Sequence, residues 1–244
     1  MSAEAEIRRH AGPEALAEDV AERLLVVIRE VQADGRVPQV VLTGGTIADT
    51  IHATLARLAP SSQVDWRSVD FWWGDERFVA RGSEDRNAVQ ARRAFLDHVD
   101  VDPARVHEAP STESAASVDE AAAAYGDEVR GSDAHEFDVV MLGLGPDGHV
   151  ASLFPGFAQV EDHDHVAVGV TDSPKPPPER ISLTLDALNH TRATWFLVSG
   201  EGKADAVAQA LDEGPVLDIP ARGAAGREET VWFLDDAAAS ALDT

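Results

Sequence analysis

Cysteine is absent from the 244-residue chain, which excludes both a disulfide framework and a thiolate zinc site. Long apolar runs are absent too. "LLVVI" is among the longest, far short of the roughly 18 residues of a membrane span. The opening stretch "MSAEAEIRRHAGPEALAEDV" carries no apolar h-region, so secretion is not expected. Basic charge is scarce: 20 Lys and Arg stand against 44 Asp and Glu, a formal charge of −24. Without a basic surplus to displace counterions, nucleic acid and anionic membranes are excluded as partners. Lysine is rarer still, with Lys175 and Lys203 the only two. An anionic metabolite would meet long-range repulsion, so any phosphate must be held by a few local cations and backbone N–H groups. The expectation is a cytoplasmic, soluble protein.

What is present is ordinary for a globular chain: 44% hydrophobic and 26% charged residues. The length suits one large domain spanning residues 1–244. Leu16, Val20, Leu24, Val27 and Val31 recur at spacings of three and four, predicting an amphipathic helix from Pro13 to Val31. "VVLTGGT" follows as a buried strand running into glycines, and Ile47, Ile51, Leu55 and Leu58 mark a second helix. "SVDFWWGDERFV" reads as strand, turn and exit loop. Helices are predicted around Ala88–Val99 and Ser117–Arg130, then a strand in "FDVVMLGLG". Val166–Val170 reads as a strand before a proline-rich loop, and "ISLTLDAL" as a strand and turn. "ATWFLVSG", "GKADAVAQAL" and "VWFLDDAAASAL" read as strand, helix, and a last strand followed by a helix. Strands alternating with helices along the whole length predict one layered α/β domain with a mostly parallel sheet.

Three of these strands end in glycine or small polar residues: "VLTGGT", "MLGLGPDGH" and "FLVSGEGK". Ligands in open α/β sheets sit beyond the carboxyl ends of the strands, so such loops converge on one cleft. Gly44, Gly45 and Thr46 form either a phosphate cradle at a helix start or a tight turn capped by Thr46. Lys203 falls in the first turn of a helix, where a cation opposes the dipole unless it shares an anion with the backbone. Asp75, Glu76 and Arg77 adjoin aromatic residues, so they are expected to be desolvated and paired. Arg77 is the functional candidate of the three, because a guanidinium suits a phosphate, carboxylate or developing oxyanion. "GPDGHVASLFPG" places His149 two residues after Asp147 in a glycine-rich turn. A histidine suits a general base near neutral pH, and Asp147 is placed to fix its tautomer. "EDHDHV" brings His163 and His165 together on a polar loop, where solvated side chains are expected rather than a metal site.

"LTGGT", "WWGDERFV", "SEDRNAVQARRAFL", "FDVVMLGLGPDGHVASLFPG", "PPPERISLTLDALN" and "FLVSGEGKADAV" occur in the order found in 6-phosphogluconolactonases, which the chain resembles from about Val40 onward. The resemblance implies a modified Rossmann-like α/β sandwich akin to sugar-phosphate deaminases and isomerases. It implies hydrolysis of 6-phospho-D-glucono-1,5-lactone without a cofactor, while the length is compatible with a monomer or a homodimer. It matches His149 to the family's water-activating base, preceded by Asp147, and Arg77 to an arginine that stabilises charge on the lactone oxygen. Gly44, Gly45, Thr46, Lys203 and Arg180 resemble the 6-phosphate site, and Arg86 and Asn87 resemble residues lining the cleft. Glucosamine-6-phosphate deaminases share the Gly-Gly-Thr and Asp-Gly-His elements but carry a glutamate where this chain has Phe154. Phenylalanine cannot transfer protons, so the lactonase is favoured over the deaminase. A regulator that binds sugar phosphates without catalysis would be expected to lose His149 and Arg77, and both are present.

Overall fold

The computed structural model describes residues 5–132 and 136–242. Its strands are β1 (Ala5–His10), β2 (Gln39–Leu42), β3 (Asp70–Trp73), β4 (Asp75–Arg77), β5 (Phe137–Leu142), β6 (Ala167–Val170), β7 (Arg180–Leu183), β8 (Thr191–Val198) and β9 (Glu229–Asp235). Its α-helices are α1 (Pro13–Ala33), α2 (Thr46–Leu58), α3 (Asn87–Ala94), α4 (Val118–Gly131), α5 (Leu185–Leu188) and α6 (Ala204–Leu211). Six strands form one sheet in the order β1-β9-β8-β5-β2-β3, and every pairing in it is parallel. The other three form an antiparallel sheet, β4-β7-β6.

The parallel strands read as unbroken apolar runs because both faces are covered. Val40, Leu42, Val139 and Met141 enter one core with α1, α2 and α3. Val41, Val140 and Leu142 point the other way, into a second core with α4, α6 and the antiparallel sheet. Each fully buried side chain of this size contributes about 1.5–3 kcal/mol. Alternation along the strands therefore stabilises both layers at once, giving the α/β sandwich that the sequence resemblance implies.

From β2 the chain steps to β3 on one side, then places β5 on the other. The strand order thus reverses at β2 and β5, and a crevice opens at their carboxyl ends. Tyr125, the only tyrosine, accepts from Trp73 N and donates to Trp73 O at 2.9 Å each. Those bonds satisfy the backbone where the chain leaves β3 for β4. Asp75 and Arg77 are thereby brought to the crevice rim as part of a strand, not of the exit loop expected for them.

Other differences are local. β1 lies at the sheet edge with exposed side chains, so it lacked the apolar signal that marks a buried strand. The helix expected over Ala88–Val99 stops at Ala94 and continues as a 3-10 turn, Leu96–His98. After β9 the chain forms successive turns instead of a helix. There Asp235 draws its carboxylate to Ala238 N, Gly200 N and Ser199 Oγ, tying the segment to the loop after β8.

Candidate active site

The loops after β2, β5 and β8, three adjacent strands, open onto one cavity of about 760 Å³. β4 and β7 supply its other wall through Asp75, Arg77 and Arg180.

Gly45 has φ +104 and is the N-cap of α2, with no side chain capping the first turn. Thr46 stands inside that turn and does not cap it, contrary to the tight-turn expectation. The leading N–H groups of α2 therefore face the cavity without a side-chain acceptor, an arrangement that favours an anion. Gly44 is needed for a different reason: a Cβ there would lie 1.9 Å from Asn87 Oδ1. Asn87 in turn accepts a hydrogen bond from Arg77 Nη1, and Arg77 Nη1 also donates to Asp85 O at 3.0 Å.

Glu76 is fully buried and accepts from the backbone N–H groups of Arg77, Asn87 and Ala88 at 2.7–2.9 Å. Burial pushes its pKa up, while Arg86 and those N–H groups oppose the shift. Arg86 is the counter-charge, with Nε 3.7 Å from Glu76 and Nη2 donating to Ala109 O at 2.6 Å. At 1% exposure it sits behind the cavity wall, which corrects the expectation that it lines the cleft. A buried carboxylate needs a partner, and Arg86 is committed to that task.

The loop between Leu142 and Val150 turns sharply at Gly148, φ +83, and Gly145 N donates to His149 O at 2.9 Å. A Cβ on Gly145 would lie 1.9 Å from His149 Nδ1 and 2.4 Å from Asp147 Oδ1. Glycine here admits the pair. Asp147 Oδ1 lies 2.5 Å from His149 Nδ1. Burial disfavours the Asp147 charge, but the bond and charge of His149, with two backbone N–H groups, hold its pKa down at about 2. An ionised carboxylate only accepts, so Nδ1 carries the proton and a neutral ring leaves its lone pair on Nε2. Nε2 makes no hydrogen bond among the described residues. The ring also packs on Phe154 with centroids 4.6 Å apart, and both residues line the cavity.

Lys203 belongs to a 3-10 turn, Glu201–Lys203, that leads into α6 rather than to the α-helix itself. Its Nζ donates to Leu144 O at 2.6 Å. Burial lowers its pKa, nearby Lys175 lowers it further, and Asp147 opposes both. Arg180 is 5% exposed and its pKa is lowered, chiefly by burial. Its Nε donates to Pro177 O, and its Nη2 to Lys175 O and Pro176 O, at 2.7–3.1 Å. Nη1 of Arg180 makes no hydrogen bond among the described residues, so two N–H groups remain for a ligand.

Four cations thus line one cavity: Arg77, Lys175, Arg180 and Lys203. None forms an ion pair among the described residues, in a chain of net charge −24. Arg77 and Arg180 even stand directly opposite each other across the β4–β7 pairing. Like charges so placed repel, which Asp75 opposes from the same wall and an anion in the cavity would relieve further. Of the sequence candidates, the cavity gathers Gly44, Gly45, Thr46, Arg77, Asn87, His149, Arg180 and Lys203, with Asp147 behind His149 and Arg86 excluded. Sequence reasoning missed Lys175 and Asp75 as wall residues. Asp75 accepts from Ser152 Oγ at 2.7 Å, a partner 77 residues away that no local pattern signals. His163 and His165 lie elsewhere, paired separately with Asp186 and Asp162.

Residues 11–232 match the family model described as glucosamine-6-phosphate isomerases/6-phosphogluconolactonase. The chain belongs to this isomerase/lactonase family. Within it, the 6-phosphogluconolactonase of Streptomyces coelicolor is 45% identical over 242 residues, covering 96% of this chain and 93% of the relative. That of Mycobacterium tuberculosis is 44% identical, covering 83% of this chain and 84% of its own. The crystal structure of 6-phosphogluconolactonase from Thermotoga maritima superposes with a TM-score of 0.83 at 26% identity, covering 95% and 100% of the two chains. A monomeric glucosamine-6-phosphate deaminase reaches 0.81 at 20% identity, over 97% of this chain and 99% of that one. That last likeness shows the fold alone. The family's two activities share a scaffold, so the side chains around His149 must separate them.

Proposed function

We propose that the chain hydrolyses 6-phospho-D-glucono-1,5-lactone to 6-phospho-D-gluconate, the second step of the oxidative pentose phosphate pathway. The observation that carries this reading is an imidazole with Nε2 free, held by Asp147, at the wall of a cavity lined by unpaired cations. Phe154 against that ring offers no second proton-transfer group, which disfavours a deaminase.

In this mechanism the 6-phosphate binds the first N–H groups of α2 at Gly44–Thr46, together with Lys203 and the free edge of Arg180. His149 Nε2 takes a proton from water as its oxygen bonds to the lactone carbonyl carbon. Arg77 stabilises the oxyanion so formed, kept in place by Asn87 and the Asp85 carbonyl. Collapse breaks the bond from that carbon to the ring oxygen, and His149 returns its proton to the departing oxygen. The product acid then ionises. Asp147 stabilises the imidazolium between the two transfers. One general base supplies about 10²–10⁴-fold, and one oxyanion donor about 2.7–4 kcal/mol. No nucleophilic side chain is required. The same reading takes residues 1–244 as one domain, supported by two cores that share a single sheet, acting in the cytoplasm as a monomer or homodimer.

The test is the decay of the lactone, generated in situ, measured above its spontaneous background. Wild type is expected to accelerate it and to leave glucosamine 6-phosphate untouched. His149→Asn should lose about 10²–10⁴-fold in kcat while binding 6-phosphogluconate within about threefold of wild type. Normal turnover in the variant would remove His149 from the role of base.

A further inference from the structure

Both lysines of the chain line the same cavity, yet they arrive there from different loops and are held differently. Lys203 is half-buried and its ammonium is fixed on Leu144 O. Lys175 is exposed, and its ammonium has neither a hydrogen bond nor an ion pair among the described residues. Its backbone, by contrast, is pinned on every side. Ser173 Oγ donates to Lys175 O at 3.0 Å and accepts from Lys175 N at 3.3 Å. Ser173 N reaches Pro178 O at 3.0 Å, closing the loop. Arg180 holds the carbonyls of Lys175, Pro176 and Pro177 with three N–H groups. The prolines add fixed φ angles and bring no donors of their own.

A loop tethered this thoroughly fixes the backbone from which the free ammonium reaches the cavity. Lys203 feels the repulsion of Lys175, so the two ammonium groups stand near enough to act on one anion in the cavity they both line. Acidic side chains outnumber basic ones by 44 to 20, so a carboxylate partner was available in composition and is absent at this position. The missing partner is an anion that enters the cavity. Two ammonium groups plus the free edge of Arg180 suit a dianion better than a single carboxylate.

Building on the hydrolase reading, we propose that Lys175 is a phosphate-binding residue that completes the 6-phosphate site together with Lys203. Arg180 then serves that site twice, through its free edge and by holding the loop from which Lys175 reaches.

The test uses the full chain and two probes, 6-phosphogluconate and inorganic phosphate, titrated calorimetrically into wild type and Lys175→Met. Lys175 is exposed, and an unchanged Tm establishes that the variant folds. The variant should bind both probes about tenfold more weakly, since a charge-assisted bond to phosphate is lost from each. KM for the lactone should rise about as much, with kcat within about threefold of wild type, as loss of uniform binding requires. Unchanged affinity for both probes overturns the assignment. So does weakening confined to 6-phosphogluconate, which would put Lys175 on the sugar or carboxylate. Wild type that binds phosphate but turns over no lactone would sink the hydrolase reading and leave the titration of Lys175 valid.

Discussion

The two ends of the parallel sheet treat charge in opposite ways. At the amino ends of the strands, charged groups are tied together. Asp138, at the start of β5 with a side chain 1% exposed, accepts from Gln39 N at 2.9 Å, Arg36 at 3.0 Å and Arg192 at 3.4 Å. Arg192 also holds both oxygens of Glu228 at 3.0 Å. Asp70, opening β3, is shared by Gln39, Arg105 and His107. At the carboxyl ends, Arg77, Lys175, Arg180 and Lys203 have no ionic partner among the described residues. The uncapped start of α2 adds its own positive pole there. Satisfied charges at one end contribute to stability. Unsatisfied charges at the other are held ready for a ligand, at some cost to the fold. The difference predicts that substitutions at the two ends fail in different measurements.

The largest effect belongs to the unpaired end. Arg77→Leu should lower kcat by about 10²–10³-fold, the scale of a lost oxyanion donor. Its denaturation midpoint should stay near the wild-type value, since relief of the repulsion with Arg180 offsets the bonds lost to Asn87 and Asp85 O. A normal kcat would take Arg77 out of the transition state and blur the contrast between the ends.

Asp138→Ala probes the paired end. It leaves Gln39 N buried without its acceptor and should cost about 1–3 kcal/mol. Urea unfolding reads the loss, while kcat per folded molecule stays at the wild-type value. A variant as stable as wild type would mean that this network contributes nothing net.

The smallest effect is a pH dependence. Burial opposes the charge of His107, but its bonds to Asp70 and Glu128 outweigh that and raise its pKa to about 9. Its ring also stacks on Trp72 with centroids 3.7 Å apart. A raised folded-state pKa means the contribution is complete below the unfolded value near 6.5. It disappears as pH rises through about 9. Wild type should therefore lose stability across that window, and His107→Asn should show a flatter profile. Parallel profiles for the two proteins would exclude His107 as the source.

Local patterns made much of this legible. α1 begins at Pro13 and buries the predicted Leu16, Val20, Leu24 and Val31, because a 3.6-residue period states its own buried face. The Gly-Gly-Thr and Asp-Gly-His loops were legible because glycine answers a local need, a positive φ at Gly45 and Gly148 and a close approach at Gly145. Helix formation after β9 was misjudged. Alanine-rich composition favours a helix, but Asp235 binds the segment in turns to a loop remote in sequence. Edge strand β1 carried no pattern at all, since its solvent-facing residues had no core to declare.

By itself the sequence determined the chemistry available and the backbone bends that carry it. His149 and Asp147 meet because a single glycine, Gly148, separates them in a turn that Gly145 leaves room for. The tertiary structure decided which charges stay free. Arg77 and Arg86 stand in neighbouring motifs, and the sequence resemblance takes both to the cleft. One reaches the cavity and the other is consumed by Glu76 beneath it. Lys203 was a candidate from its own loop, but Lys175 was not, and the two share a cavity only when β5, β7 and β8 are folded together. The reason is physical: a bend depends on neighbours along the chain, whereas desolvation and pairing depend on neighbours in space.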